Sequence, residues 1–178
     1  MSETKDAIFL QAGDYCFDQA GTKLHTILGS CIAITIWHPI RKIGGMCHFA
    51  LSRPDQRALH DQLDGRYAED CMQLFKQSVL KNKTRFEDYD IKIFGGGNIN
   101  RMYASKELNE IELQSVGEKN TTIAFNLLMQ QGLDIKVAHV GEFGHRHIVF
   151  DITSGDVWVK FSPSKLDIGD VRSLGGNV

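Results

Sequence analysis

The sequence has no excess of basic residues. Among its 178 residues, 20 Lys and Arg stand against 22 Asp and Glu, a formal net charge of −2. A bulk electrostatic grip on nucleic acid or on an anionic membrane needs a basic excess, so neither is expected as a partner. A long apolar run is missing too. No stretch approaches the roughly 20 residues that cross a bilayer, so no membrane insertion is expected. The opening residues, Met1 to Asp6, are polar and of mixed charge, without the basic-then-apolar order of a secretory signal. The four cysteines, Cys16, Cys31, Cys47 and Cys71, include no Cys-x-x-Cys pair. Without a secretory signal they are expected to be reduced, in a cytoplasmic protein. Internal repeats and low-complexity tracts are absent as well.

What is present is ordinary globular composition, 42% hydrophobic and 24% charged. The length suits one domain, expected over 1–161, with a loosely packed tail at 162–178 that is poor in apolar anchors. Short strands are predicted at 7–10, 31–37, 44–51, 89–94 and 135–140. The segment 147–152 and the segment 157–161 flank Ser154-Gly155 as a hairpin. A helix is predicted over 55–80, where Tyr67, Cys71, Leu74, Phe75 and Val79 recur at helical spacing. A second is predicted over 120–131, with Ser115 or Asn120 as cap and Gly132 just past its end. Cys16 falls in an expected turn. Strands cluster at both ends of the chain and the helices are few. The predicted class is α+β, with packed mixed or antiparallel sheets and helices outside.

Cys31 is the most suggestive residue. It follows Gly29-Ser30, where a glycine-broken turn feeds a buried strand. Glycine lets a substrate approach the backbone, turn amides can face a developing oxyanion, and the strand fixes the sulfur. The plain alternative is a small core side chain, since free cysteine is commonly buried. His48 lies in the next predicted strand. Consecutive strands often pair, which would bring His48 to Cys31. An imidazole there would draw off the thiol proton and leave a thiolate at neutral pH. The plain alternative is a structural histidine.

Other candidates are weaker. His139, His145, His147 and Cys47 could supply four zinc ligands, but their spacing fits no zinc motif, and no metal is expected. Gly95-Gly96-Gly97-Asn98 lacks the Lys-Ser/Thr of a P-loop and is not Gly-x-Gly-x-x-Gly, so it reads as a tight turn lining a cleft. Ser30 is a poorer nucleophile than its neighbour. Cys71 reads as core, and Cys47 alternates to the face opposite His48.

These residues carry a resemblance. Thr26-Ile27-Leu28-Gly29-Ser30-Cys31, then Trp37-His38-Pro39, then Gly44-Gly45-Met46-Cys47-His48, resemble the active-site signature of the CheD family. Lys92-Ile93-Phe94-Gly95-Gly96-Gly97, Gly117 to Asn120, and Gly144-His145-Arg146 extend the likeness over about 7–161. The resemblance implies a cysteine-hydrolase fold shared with toxin deamidases. It implies deamidation of glutamines on methyl-accepting chemotaxis receptors, without a cofactor. Cys31 would be the nucleophile and His48 the general base and acid. Amides near Gly29 and Ser30 would hold the substrate's oxyanion. Members also use a threonine before the cysteine. Here Thr26 stands five residues before Cys31, while His25 holds the position six before it. A slip of one residue on a strand reverses the face, so Thr26 is expected as the third catalytic member, with His25 as the alternative. Glu142-Phe143 stand where the family tends to have glycine. Some members also bind a CheC-type phosphatase. A non-catalytic adaptor that docks on receptors or on such a phosphatase is the rival reading; a related thiol enzyme, a transglutaminase or protease, is a third.

Overall fold

The computed structural model describes residues 7–50, 62–98 and 115–164. Nine strands and two α-helices occur there: β1 (Ile8–Phe9), β2 (Tyr15–Gln19), β3 (Lys23–Leu28), β4 (Ile32–His38), β5 (Ile43–Phe49), α1 (Ala68–Lys81), β6 (Asp90–Gly95), α2 (Val116–Gln130), β7 (Ile135–Val140), β8 (Gly144–Asp151) and β9 (Val157–Pro163). They form two mixed sheets. The four-stranded sheet has the order β1-β3-β8-β9 and the five-stranded sheet the order β2-β5-β4-β6-β7. Only β1 with β3 and β6 with β7 run parallel among these pairs. This is the expected α+β arrangement of packed sheets with outer helices.

The composition of β4 explains the layering. All seven of its residues are buried, so the strand is covered on both faces. Ile32, Ile34 and Ile36 point to one side, where Cys71, Met72 and Phe75 of α1 and Ala124 and Leu128 of α2 meet them. Ala33 and Trp37 point to the other side. There they join Leu24, Leu28, Met46, Phe94, Ile148 and Phe150, which fill the gap between the two sheets. A fully buried Ile or Phe stabilises by roughly 1.5–3 kcal/mol, so each layer has ample apolar drive.

Several boundaries differ from expectation. The first helix begins at Ala68, not near 55. Residues 62–67 are not helical, and 55–61 lie outside the described residues. Gly65 explains the late start: it bridges to Gly13, and a Cβ on it would meet the Gly13 carbonyl oxygen at 2.2 Å. Cys16 is not in a turn but in β2, an edge strand whose Tyr15 and Phe17 pack towards the helices. The hairpin strands are longer than expected, and β9 runs through Pro163, two residues into the expected tail. The second helix begins at Val116 with Ser115 as its cap; the Ser115 hydroxyl accepts from the Glu118 amide and Glu118 reaches back to the Ser115 amide.

Candidate active site

Cys31 sits at the foot of β4, after the short Gly29-Ser30 connection from β3. The three carbonyls of this connection are all tied down. The Gly97 amide donates to the Gly29 oxygen at 2.8 Å, and the Gly96 amide donates to the Cys31 oxygen at 2.9 Å. The Asn120 side chain donates through Nδ2 to the Ser30 oxygen at 3.0 Å. Gly95 and Gly96 make this possible. Both have positive φ, 112° and 62°, and a Cβ on Gly95 would meet the Cys31 oxygen at 2.1 Å. The glycine cluster is therefore a turn that grips the cysteine connection, and no phosphate cradle is needed to explain it.

His48 lies on β5 directly across from Ala33 of β4. Cys31, two residues before Ala33, packs against the same inter-sheet cluster. It is thus the diagonal neighbour of His48, at a position roughly 7–8 Å away in a regular sheet and within side-chain reach. Cys31 is partly exposed, whereas His48 is 4% exposed.

Thr26 approaches His48 from the opposite sheet. On β3, Leu24, Thr26 and Leu28 face the gap and are buried, while His25 and Ile27 face outwards. The Thr26 hydroxyl donates to the Leu10 carbonyl at 2.6 Å. Its oxygen also lies 2.8 Å from His48 Nδ1. The hydroxyl has one proton, and the Leu10 carbonyl can only accept. The second bond must therefore run from His48 Nδ1–H to the Thr26 oxygen. This fixes the tautomer and leaves the lone pair on Nε2. That Nε2 is buried and has no hydrogen-bond partner among the described residues. His25 is elsewhere: its ring packs edge-on against Phe9 at 5.1 Å and lies beside His147 on the outer face. The register thus brings Thr26, and not His25, to His48.

Electrostatics modify the expected thiolate. Burial pushes the Cys31 thiol above its ordinary range, although its own backbone amide lies close enough to favour the charged form. Burial pushes His48 below its ordinary value, against smaller opposing effects of the Leu10 carbonyl and Asp14. Both shifts favour neutral partners. These directions favour a resting thiol and a neutral imidazole over a preformed ion pair. A neutral pair reacts by general-base removal of the thiol proton as the sulfur attacks.

The remaining sequence candidates lie apart. Cys47 and Cys71 are buried in the helix-side core, where the Cys71 thiol meets Cys47 and donates to the Gly65 carbonyl at 3.2 Å. The four residues considered for zinc do not converge. Cys47 is in that core, His139 accepts from Arg146 Nε at 2.7 Å, His145 is exposed on β8, and His147 faces His25. Among the described residues no cluster of three or more metal-ligating side chains occurs. The residue that functional reading of the sequence missed is Asn120. It was legible only as a possible cap and as the last residue of a motif, because the contact that gives it a role lies 90 residues away in the chain. Arg146, fully buried between the sheets and stacked over Phe161 at 4.8 Å, stands out in the sequence only as part of a motif.

Comparison with known proteins adds an independent line. A family model described as CheD chemotactic sensory transduction matches residues 51–161, a span that begins just beyond His48. The probable chemoreceptor glutamine deamidase CheD of Pseudomonas savastanoi pv. phaseolicola is 42% identical over 156 residues, covering 88% of this chain and 85% of that protein. The probable chemoreceptor glutamine deamidase CheD 3 of Dechloromonas aromatica is 38% identical over 169 residues, covering 95% and 94%. Among solved structures, the hypothetical protein YfiH of Bacillus licheniformis gives a TM-score of 0.41 at 10% identity, over 71% of this chain and 49% of that one. That likeness is too slight to argue from.

Proposed function

The chain belongs to the CheD family, and on that premise we propose that it is a chemoreceptor glutamine deamidase that works through Cys31, His48 and Thr26. One observation supports the assignment of roles above the rest. A histidine with Nδ1 committed to a threonine and Nε2 left free lies on the same inner face as a partly exposed cysteine.

In this reading the Cys31 thiol gives its proton to His48 Nε2 as sulfur attacks the side-chain amide carbon of a glutamine. The carbonyl oxygen becomes an oxyanion, held by amides of the Gly29–Cys31 connection. The carbon–nitrogen bond then breaks, and the departing nitrogen takes the proton from Nε2 and leaves as ammonia. A glutamyl thioester on Cys31 remains. Water gives a proton to Nε2 and adds to the thioester. The carbon–sulfur bond breaks, the sulfur takes the proton back, and glutamate is released. Thr26 keeps the imidazole in one tautomer and orientation throughout, the part an aspartate plays in other triads. Thiol and imidazole chemistry on an amide requires neither a metal nor an organic cofactor.

The substrates in this proposal are glutamines of chemoreceptors, the proteins named by the relatives, and the reaction belongs to the cytoplasm. Residues 1–161 act as one catalytic domain. A CheC-type phosphatase is the further partner that the family reading brings. No helix among the described residues is long and apolar enough to cross a membrane.

Peptide mass spectrometry tests the proposal. A receptor cytoplasmic fragment from the same organism is incubated with the protein and, separately, with Cys31→Ala. The expected result is glutamine-to-glutamate conversion with the intact protein alone. Tight receptor binding without conversion would instead support a docking adaptor in which Cys31 is a packing residue.

A further inference from the structure

The peptide bond is planar and trans, so the C=O and N–H of one unit point in opposite directions. Whatever holds the Ser30 carbonyl therefore aims the Cys31 amide. The neighbouring units are anchored by the main-chain amides of Gly97 and Gly96. The Ser30–Cys31 unit alone of the three is anchored by a side chain, the carboxamide of Asn120. Because the Ser30 oxygen can only accept, the group facing it must be the Asn120 NH2. Asn120 is 4% exposed, and the start of its helix is seated firmly. Gly117, one turn earlier, lies so close to the glycine turn that a Cβ would meet the Gly96 and Gly97 oxygens at 2.4 and 2.6 Å. Asn120 thus joins α2, the glycine turn and the cysteine connection in one rigid unit. On the other side of the held peptide from Asn120 is the N–H of Cys31, the residue that carries the attacking sulfur.

We propose that Asn120 is a positioning residue for deamidation: by fixing the Ser30–Cys31 peptide it aims the Cys31 N–H at the oxyanion of the tetrahedral intermediate. This deepens the deamidase reading and rests on it. Asn120 touches no reacting atom, so its loss should spare the reactivity of the sulfur and impair only a step that builds an oxyanion.

The test compares two reactions in the intact protein. Deamidation of a purified receptor cytoplasmic fragment passes through a tetrahedral oxyanion. Alkylation of Cys31 by iodoacetamide, read on the Cys31 peptide, does not. For Asn120→Leu and Asn120→Asp, kcat for deamidation is expected to fall on the order of 10–100-fold, somewhat less than outright removal of an oxyanion donor. KM and the alkylation rate are expected to stay within about two-fold, as befits an interaction made only in the transition state. Equal loss of deamidation and alkylation in both variants would make Asn120 a structural residue and overturn the proposal. Unchanged kcat in either well-folded variant would also overturn it. An inert wild-type protein that still alkylates normally would overturn the deamidase reading itself, and this inference with it.

Discussion

Thr26 is placed by a single proton. Its hydroxyl gives to the Leu10 carbonyl and receives from His48 Nδ1 at once. Valine keeps its shape and removes both bonds. Thr26→Val is expected to lower kcat on the order of 10²-fold, because the imidazole loses its fixed tautomer. It should also cost about 1–3 kcal/mol of stability, since the buried Leu10 carbonyl and Nδ1 lose their partner. Thr26→Ser keeps the hydroxyl and should retain most activity. His25→Ala, on the outer face, should leave kcat near wild type. Steady-state kinetics of the three variants check this, and a Thr26→Val enzyme as active as wild type would sink the assignment. The sequence favours Thr26 without excluding His25. Both lie close to the right distance from Cys31, and only the pairing of β3 with β8 reveals which one faces inwards.

At the scale of elements, the site is the meeting of two turns. One leads from β3 into β4 and carries Cys31; the other leaves β6 and is covered by the start of α2. Gly117 is the contact on which this meeting depends. The oxygens a Cβ would strike belong to the main chain and cannot swing away. Gly117→Ala should therefore move α2 off the turn, lengthen the Asn120–Ser30 bond and cost about 1–3 kcal/mol, as overpacking of a tight contact does. A thermal melt together with deamidation kinetics checks it. An unchanged melting temperature and kcat would show that the contact has slack.

The elements were unequally legible for physical reasons. β4 and β5 stood out because a strand covered on both faces is buried at every position and draws mostly apolar or small residues. β2 was missed because it is a short edge strand that reads Tyr-Cys-Phe-Asp-Gln, and its two faces meet different cores. The start of α1 was set too early because helical spacing says where apolar residues recur, not where Gly65 must meet Gly13.

At the scale of the whole molecule, two cores share one sheet, and the proposed chemistry lies on the side away from the helices. Helix-side packing holds β4 and β5 in register. That register sets Cys31 diagonal to His48, while the second sheet delivers Thr26 from 22 residues earlier in the chain. The dyad could be anticipated from consecutive strands. The neutral state of the pair could not, because it follows from burial that only the assembled sheets create. Asn120 was equally hidden, being joined to the site by one contact between distant segments.

Cys31 itself should become acylated by a receptor glutamine, and the thioester can be sought directly. A receptor fragment and the protein are mixed, quenched in acid within the first turnovers, digested and analysed by mass. The Cys31 peptide is expected to carry a receptor glutamine peptide less ammonia, lost on treatment with hydroxylamine and missing in Cys31→Ala. Conversion of receptor glutamines with no adduct on Cys31, and with full activity in Cys31→Ala, would contradict this acylation.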